Sequence, residues 1–193
     1  MTSVRYIALC GYPESGKSKV QEILESDFGV EPVDDGAPLR EAVKVLYDLT
    51  DWHVYTQEGK RCKIRVGETT RTVRQLLGEM GNYLESQDPH FIPKRALAEI
   101  AKTDSAGRVY SFGSVRRDQG HVFRETGQAL IVEVVRAGCR PAGNWDDYDP
   151  NLADIRIENR FDPADPAGSL AALRRDVHTQ IGCYFQKKAA AMS

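Results

Sequence analysis

The chain has 193 residues, with 26 Lys plus Arg against 28 Asp plus Glu and a formal net charge of -2. It is long enough for one domain with its own core, and it lacks the global basic field that would argue for nucleic acid as the main partner. Cys10, Cys62, Cys139 and Cys183 form no C-x-x-C pair, which speaks against a zinc site or a disulfide framework and suits reduced thiols.

In chain order, the apolar run Tyr6 to Cys10 predicts a buried strand. It leads directly into Gly11-Tyr12-Pro13-Glu14-Ser15-Gly16-Lys17-Ser18, which satisfies the phosphate-loop pattern G-x-x-x-x-G-K-[ST]. The chemistry needs these residue types. Gly11 and Gly16 let backbone N–H groups curl around phosphate oxygens, Lys17 reaches the β- and γ-phosphates of a nucleoside triphosphate, and the Ser18 hydroxyl can hold Mg²⁺. Val20, Ile23, Leu24 and Phe28 recur at helical spacing, so the loop should open a helix whose N-terminus faces the phosphates.

Gly29 to Val33 predicts a second strand that delivers Asp34 and Asp35 to its C-terminal end, where open α/β sheets bind ligands. Each aspartate could equally cap the following helix, which Pro38 opens and Leu39, Ala42, Val43, Leu46 and Leu49 stripe. From Trp52 to Val66 the pattern reads as a hairpin, with His53 to Thr56 and Cys62 to Val66 as strands around Glu58-Gly59. Thr69 and Thr70 then offer caps to an amphipathic helix with Val73, Leu76, Leu77, Met80 and Leu84 on one face. Arg71 and Arg74 fall on its first turns, where they oppose the macrodipole. Asp88-Pro89 ends that helix, and Pro93 to Lys102 predicts another.

Val109 to Gly113 resumes strand character and carries Arg116 and Arg117 into a turn before a helix containing Val122 and Phe123. Ala129 to Val135 is the most β-like run and ends at Arg136. Its Leu130-Ile131-Val132-Glu133 looks like a Walker B strand, although Val134 and Val135 continue beyond the acid. Cys139 to Leu152 is a loop with Trp145 and Tyr148, Ile155 and Ile157 mark a last strand, and a long helix follows with Leu170, Leu173, Val177, Ile181 and Tyr184 as its stripe. The alternation, with strands near 4–10, 30–33, 108–113, 129–135 and 154–159, predicts an α/β fold: a mainly parallel five-stranded sheet covered on both faces. The stretch 36–105 has no sheet role and is expected to be a substrate-binding insertion within a single domain.

Several of these segments together resemble the phage-type deoxynucleoside monophosphate kinases of the P-loop nucleoside monophosphate kinase group. Gly11 to Ser18 matches the ATP loop, and Asp35-Gly36-Ala37-Pro38-Leu39-Arg40 is similar to the acceptor-side segment. Thr72-Val73-Arg74-Gln75-Leu76-Leu77 resembles Thr-Pro-Arg-x-Leu-Leu, Ser114-Val115-Arg116 sits where that family has Asp-Val-Arg, and Asp154 to Asn159 resembles Asp-x-x-Ile-x-Asn. The resemblance implies a three-layer P-loop kinase sandwich using ATP and Mg²⁺, with a small nucleotide as substrate. It casts Lys17, Arg74, Arg116 and Arg136 as the cations of phosphoryl transfer. Asp34, Asp35, Arg40, Arg71 and Arg74 become contacts for a nucleoside monophosphate, and Ser18 the magnesium ligand. A homodimer is compatible with it.

Two other expectations stay open. A kinase acting on a hydroxyl would need a carboxylate base, for which Asp34 or Asp35 is the candidate. A nucleotide-binding protein of weak activity would fit Ser114 standing in place of an aspartate. No apolar run approaches the roughly 20 residues of a membrane span, and the first residues lack a signal-peptide core. A cytosolic location is therefore expected, that of the host if the source is a phage.

Overall fold

The computed structural model describes residues 4–104, 107–141 and 143–191, without the side chains of 186–191. In chain order its elements are β1 (Tyr6–Cys10), α1 (Lys17–Phe28), β2 (Glu31–Val33), α2 (Ala37–Tyr47), α3 (Asp51–Tyr55), α4 (Gln57–Arg61), β3 (Lys63–Val66), β4 (Thr69–Thr72) and α5 (Val73–Gln87). They continue with α6 (Phe91–Thr103), β5 (Tyr110–Phe112), α7 (Gly120–Glu125), β6 (Ala129–Val135), β7 (Ile155–Glu158) and α8 (Pro166–Ala191). The chain divides into two compact units, Met1–Asp34 with Pro93–Ser193, and Asp35–Ile92.

The first unit is built on a five-stranded sheet in the order β2-β5-β1-β6-β7, with every neighbouring pair parallel. Successive residues of a strand point to opposite faces, and β1 uses both. Ile7 and Leu9 join Val20, Ile23 and Leu24 of α1 and Leu173, Val177 and Ile181 of α8 in one buried cluster. Tyr6, Ala8 and Cys10 join Ala96 and Ile100 of α6 and Phe123 of α7 in the other. Helices therefore cover both faces, which makes this the expected three-layer α/β fold. All five strands fall where the sequence places them.

Two of the expected stripes are narrower than their periodicity. On α8, Leu170 is 43% and Tyr184 38% exposed. On α2 only Val43 is buried, while Leu46 is 63% exposed and Ala42 lies at the surface. Helix α6 starts at Phe91, ahead of the expected Pro93, and its Ala96 and Ile100 belong to the sheet unit. The second compact unit closes at Ile92.

Within that second unit, residues 53–62 are not strands. Thr50 forms a capping box with His53 at the start of α3, and Thr56 accepts from the Gly59 amide to cap α4. The two short helices pack so closely that a Cβ on Gly59 would lie 2.1 Å from the Trp52 carbonyl oxygen. That close approach and the two caps hold helix where the β-branched and aromatic residues suggested strand. The hairpin lies one segment later: β3 and β4 pair antiparallel with Val66 opposite Thr69, around a two-residue turn led by Gly67 at φ 59. Thr69, Thr70 and Arg71 therefore belong to β4, and the cap of α5 is Thr72, whose hydroxyl accepts from Gln75 N. The macrodipole argument applies to Arg74 alone, at the second residue of α5.

Candidate active site

Between Cys10 and α1 the backbone makes a turn that few residue types allow, with Gly11 at φ 138, Glu14 at φ 65 and Gly16 at φ 108. Gly11 is fixed by proximity as well: a Cβ there would lie 2.2 Å from the Val134 carbonyl oxygen of β6. At Gly16 a Cβ would lie 2.3 Å from Asn159 Nδ2, and that amide donates to the Ser15 carbonyl at 2.9 Å. The residue following β7 thus clamps the loop. The first amides of α1 have no acceptor within the helix, so the loop ends in a set of donors backed by the positive end of the dipole.

Lys17, in the first turn of α1, donates to the Gly11 carbonyl at 2.6 Å and the Tyr12 carbonyl at 2.8 Å. An ammonium has three donors, so one remains for a phosphate oxygen while the other two fix the side chain across its own loop. Burial, and then the neighbouring Arg116 guanidinium, push the Lys17 ammonium down to about 8. For a triphosphate held at this motif the protonated form would be the one that binds, so its affinity in EDTA should be level below that value. Above it, affinity should fall by up to about tenfold per pH unit, because the free protein must first take up a proton. Titration calorimetry with ATP between about pH 6 and pH 10 checks this; an affinity independent of pH contradicts it.

Arg116 reaches the loop because the Val115 amide donates to the Leu9 carbonyl at 3.2 Å, extending the β1–β5 pairing past the end of β5. Its Nη1 lies 3.4 Å from the Trp145 carbonyl oxygen and 3.6 Å from Asp146 Oδ1. Asp146 itself is 3% exposed, in a short 3₁₀ turn over Asn144–Asp146. Residues 145–149, part of the stretch that reads in sequence as either a flap or a plain connection, are therefore tied down beside the phosphate loop. Arg117, at φ 46, bridges in parallel to Tyr148. The Tyr148 hydroxyl donates to Glu133 Oε1 at 2.8 Å, and its ring meets that of Tyr12 edge-on at 5.2 Å.

Arg136 stacks on the ring of Phe161, 4.4 Å from its centroid. It also lines a cleft of about 210 Å³ together with Tyr12, Ser15, Glu133, Cys139, Tyr148 and Arg156. Glu133 is buried and engaged by Tyr148 and by Arg156 at 3.7 Å. Those partners give the acid that resembles a Walker B residue a structural place. Asp34 is exposed at the end of β2.

In the second unit, Arg40 stands 4.9 Å over the Tyr55 ring and Arg74 Nη2 donates to Gln57 Oε1 at 2.6 Å. Tyr55 ends α3 and Gln57 begins α4, so both guanidiniums converge on the same joint. Arg71 is engaged by Glu79 at 3.1 Å. Asp35 is 7% exposed.

No group of three or more His, Cys, Asp or Glu among the described residues could hold a metal ion. The Ser18 hydroxyl, at the second residue of α1, is exposed and is an oxygen of the type that Mg²⁺ takes alongside phosphates and water. Among the described residues no helix is long and apolar enough to cross a membrane.

No protein-family model matches the chain, and no curated protein matches it either. Solved structures do. A dephospho-CoA kinase from Campylobacter jejuni is similar at 13% identity and a TM-score of 0.46, over 89% of this chain and 96% of that one. A sugar kinase from Janibacter sp. is similar at 12% identity and a TM-score of 0.43, over 93% and 95%. A shikimate kinase from Aquifex aeolicus is similar at 14% identity and a TM-score of 0.35, over 91% and 98%. At this level of likeness the reading of the site rests on its own geometry.

Two residues had no motif to mark them. Asp146 and Tyr148 lie in a loop without periodicity, and what places them is the backbone pairing of Asp147 and Asp149 with Arg117. The only local signal was the aromatic residues in a stretch otherwise rich in Gly, Pro and Asp.

Proposed function

We propose that this protein transfers the γ-phosphoryl group of ATP to the 5′-phosphate of a nucleoside or deoxynucleoside monophosphate, giving ADP and the diphosphate. The observation that carries the reading is the arrangement of cations. The residue before Arg116 pairs with Leu9, two residues ahead of the loop, the charge of Arg116 is felt by Lys17, and Arg40 and Arg74 meet at one joint of the 35–92 unit. We read that unit as the acceptor-binding part of one kinase domain, in which Arg40 and Arg74 hold the acceptor phosphate. An acceptor phosphate is already a nucleophile, so the reaction asks for alignment and positive charge rather than a strong base.

In this scheme the loop amides and the Lys17 ammonium hold the donor's β- and γ-oxygens, and Arg116 takes up charge on the transferring group. Arg136, stacked on Phe161, offers a flat cationic surface beside the loop. The Ser18 hydroxyl would be the protein oxygen that holds Mg²⁺, which would supply positive charge against the donor phosphates. The reading carries with it a cytosolic location and a free nucleotide as substrate.

The burial of Asp35 supports one second reading, a hydroxyl acceptor with that carboxylate as base. Asp34→Asn and Asp35→Asn separate the two. With a phosphate acceptor, turnover should fall by less than about tenfold in either variant. A loss of about a thousandfold in one of them, with ATP binding retained, assigns a hydroxyl acceptor instead.

A further inference from the structure

We propose that Asp146 is the positioning residue of Arg116, holding its guanidinium toward the γ-phosphate end of the Lys17 site from the loop that follows β6. The inference deepens the triphosphate reading of this site and rests on it. Arg116 needs an external hold: its side chain is 41% exposed, whereas the carboxylate it faces is 2% exposed. Its backbone is already fixed, because the Arg116 amide donates to the side-chain oxygen of Gln119, itself 2% exposed. What remains free to swing is the long side chain, and its described contacts come from Trp145 and Asp146, neighbours on one 3₁₀ turn.

The turn is held in register with Arg116 by the backbone. Arg117 N donates to the Asp147 carbonyl at 2.5 Å, and Asp149 N donates to the Arg117 carbonyl at 3.2 Å. These two bonds flank Tyr148, which is anchored through its hydroxyl to Glu133 on β6. The residues following Arg116 and those following Asp146 are thus paired along the chain, so the two side chains cannot slide apart without breaking that ladder. The charge arrangement agrees. Lys17 feels Arg116 as a repelling neighbour and Asp146 as an attracting one, so the carboxylate lets two cations stand at one phosphate site. At 3.6 Å the pair attracts without a tight bond, which leaves the Arg116 donors available to a phosphate oxygen.

A residue that acts through Arg116 should matter for a ligand with a γ-phosphate and not for one without it. Affinities of a non-hydrolysable ATP analogue and of ADP are measured with Mg²⁺ for the wild type, Asp146→Asn, Arg116→Gln, the double variant and Asp146→Glu. We expect Asp146→Asn and Arg116→Gln each to weaken the analogue by about tenfold with ADP within about twofold. The double variant should bind no more weakly than Arg116→Gln alone, and Asp146→Glu should recover most of the loss. ADP affinity also reports that each variant is folded. The inference is overturned if Asp146→Asn weakens ADP and the analogue alike, or if its loss multiplies with that of Arg116→Gln. If the wild type binds neither ligand, or Lys17→Ala binds both as well as the wild type, the triphosphate reading itself falls and takes this inference with it.

Discussion

Replacing Lys17 with alanine should weaken ATP binding by about a hundredfold and slow phosphoryl transfer by about a thousandfold or more, with little change in Tm. The expected loss is large because this ammonium does two things. It ties the Gly11 and Tyr12 carbonyls together across the loop, and it keeps a third donor for the phosphates. Stability should hardly move, since two hydrogen bonds are lost while a buried charge, already pressed toward its neutral form by burial and by Arg116, is removed. Arginine should not rescue the site, because a planar fork cannot cap two carbonyls at such short range and still present a donor in the same place. Calorimetric titration with ATP, paired with thermal melts, checks this. A Tm loss that parallels the affinity loss would mean that Lys17 acts as a structural clamp.

Gly11→Ala should be the most damaging single-methyl change in the loop. The added Cβ would meet the Val134 carbonyl oxygen at 2.2 Å, and the φ of 138 is one that L side chains rarely adopt. Neither term can relax cheaply, because Val134 lies on β6, which pairs with both β1 and β7. A cost of about 3 kcal/mol or more is expected, which for a domain of this size corresponds to a Tm drop of roughly 6–12 °C. Gly29→Ala is the internal control: φ is again positive, at 65, but nothing lies within 4 Å of the added atom. There the backbone preference alone should cost about 1 kcal/mol. Melts of the two variants side by side decide the matter; equal losses would mean that conformation, and not the contact with β6, fixes Gly11.

The sheet was legible because it is written in local patterns. Tyr6 to Cys10 is a continuous apolar run and Ala129 to Val135 is one interrupted only by Glu133, as suits strands buried on both faces, and the phosphate loop marks where the first of them ends. The strand expected up to Val66 is present as β3, but the 51–61 stretch misled for a physical reason. Its β-branched and aromatic residues favour strands, but Thr50, Thr56 and the close approach at Gly59 favour two short helices, and caps and contact outweigh propensity. At the candidate site, Lys17 is marked by its motif, while the strand end offers Arg116 and Arg117 alike and only the resemblance singles out Arg116. Asp146 could not be named from sequence, because its place depends on backbone pairing between segments some thirty residues apart. The stripe on α2 illustrates the converse: Leu46 repeats at helical spacing yet is 63% exposed, so periodicity alone overstated how much of that helix is covered.

Transfer of label from ATP carrying a radioactive γ-phosphate tests the central claim most directly, with Mg²⁺ present, a panel of ribo- and deoxynucleoside monophosphates as acceptors and Lys17→Ala alongside. The account predicts that label appears in the β-position of at least one nucleoside diphosphate, and that the Lys17→Ala protein forms it at least about a thousandfold more slowly. Label released only to water, or carried by no acceptor although ATP is bound, would contradict it.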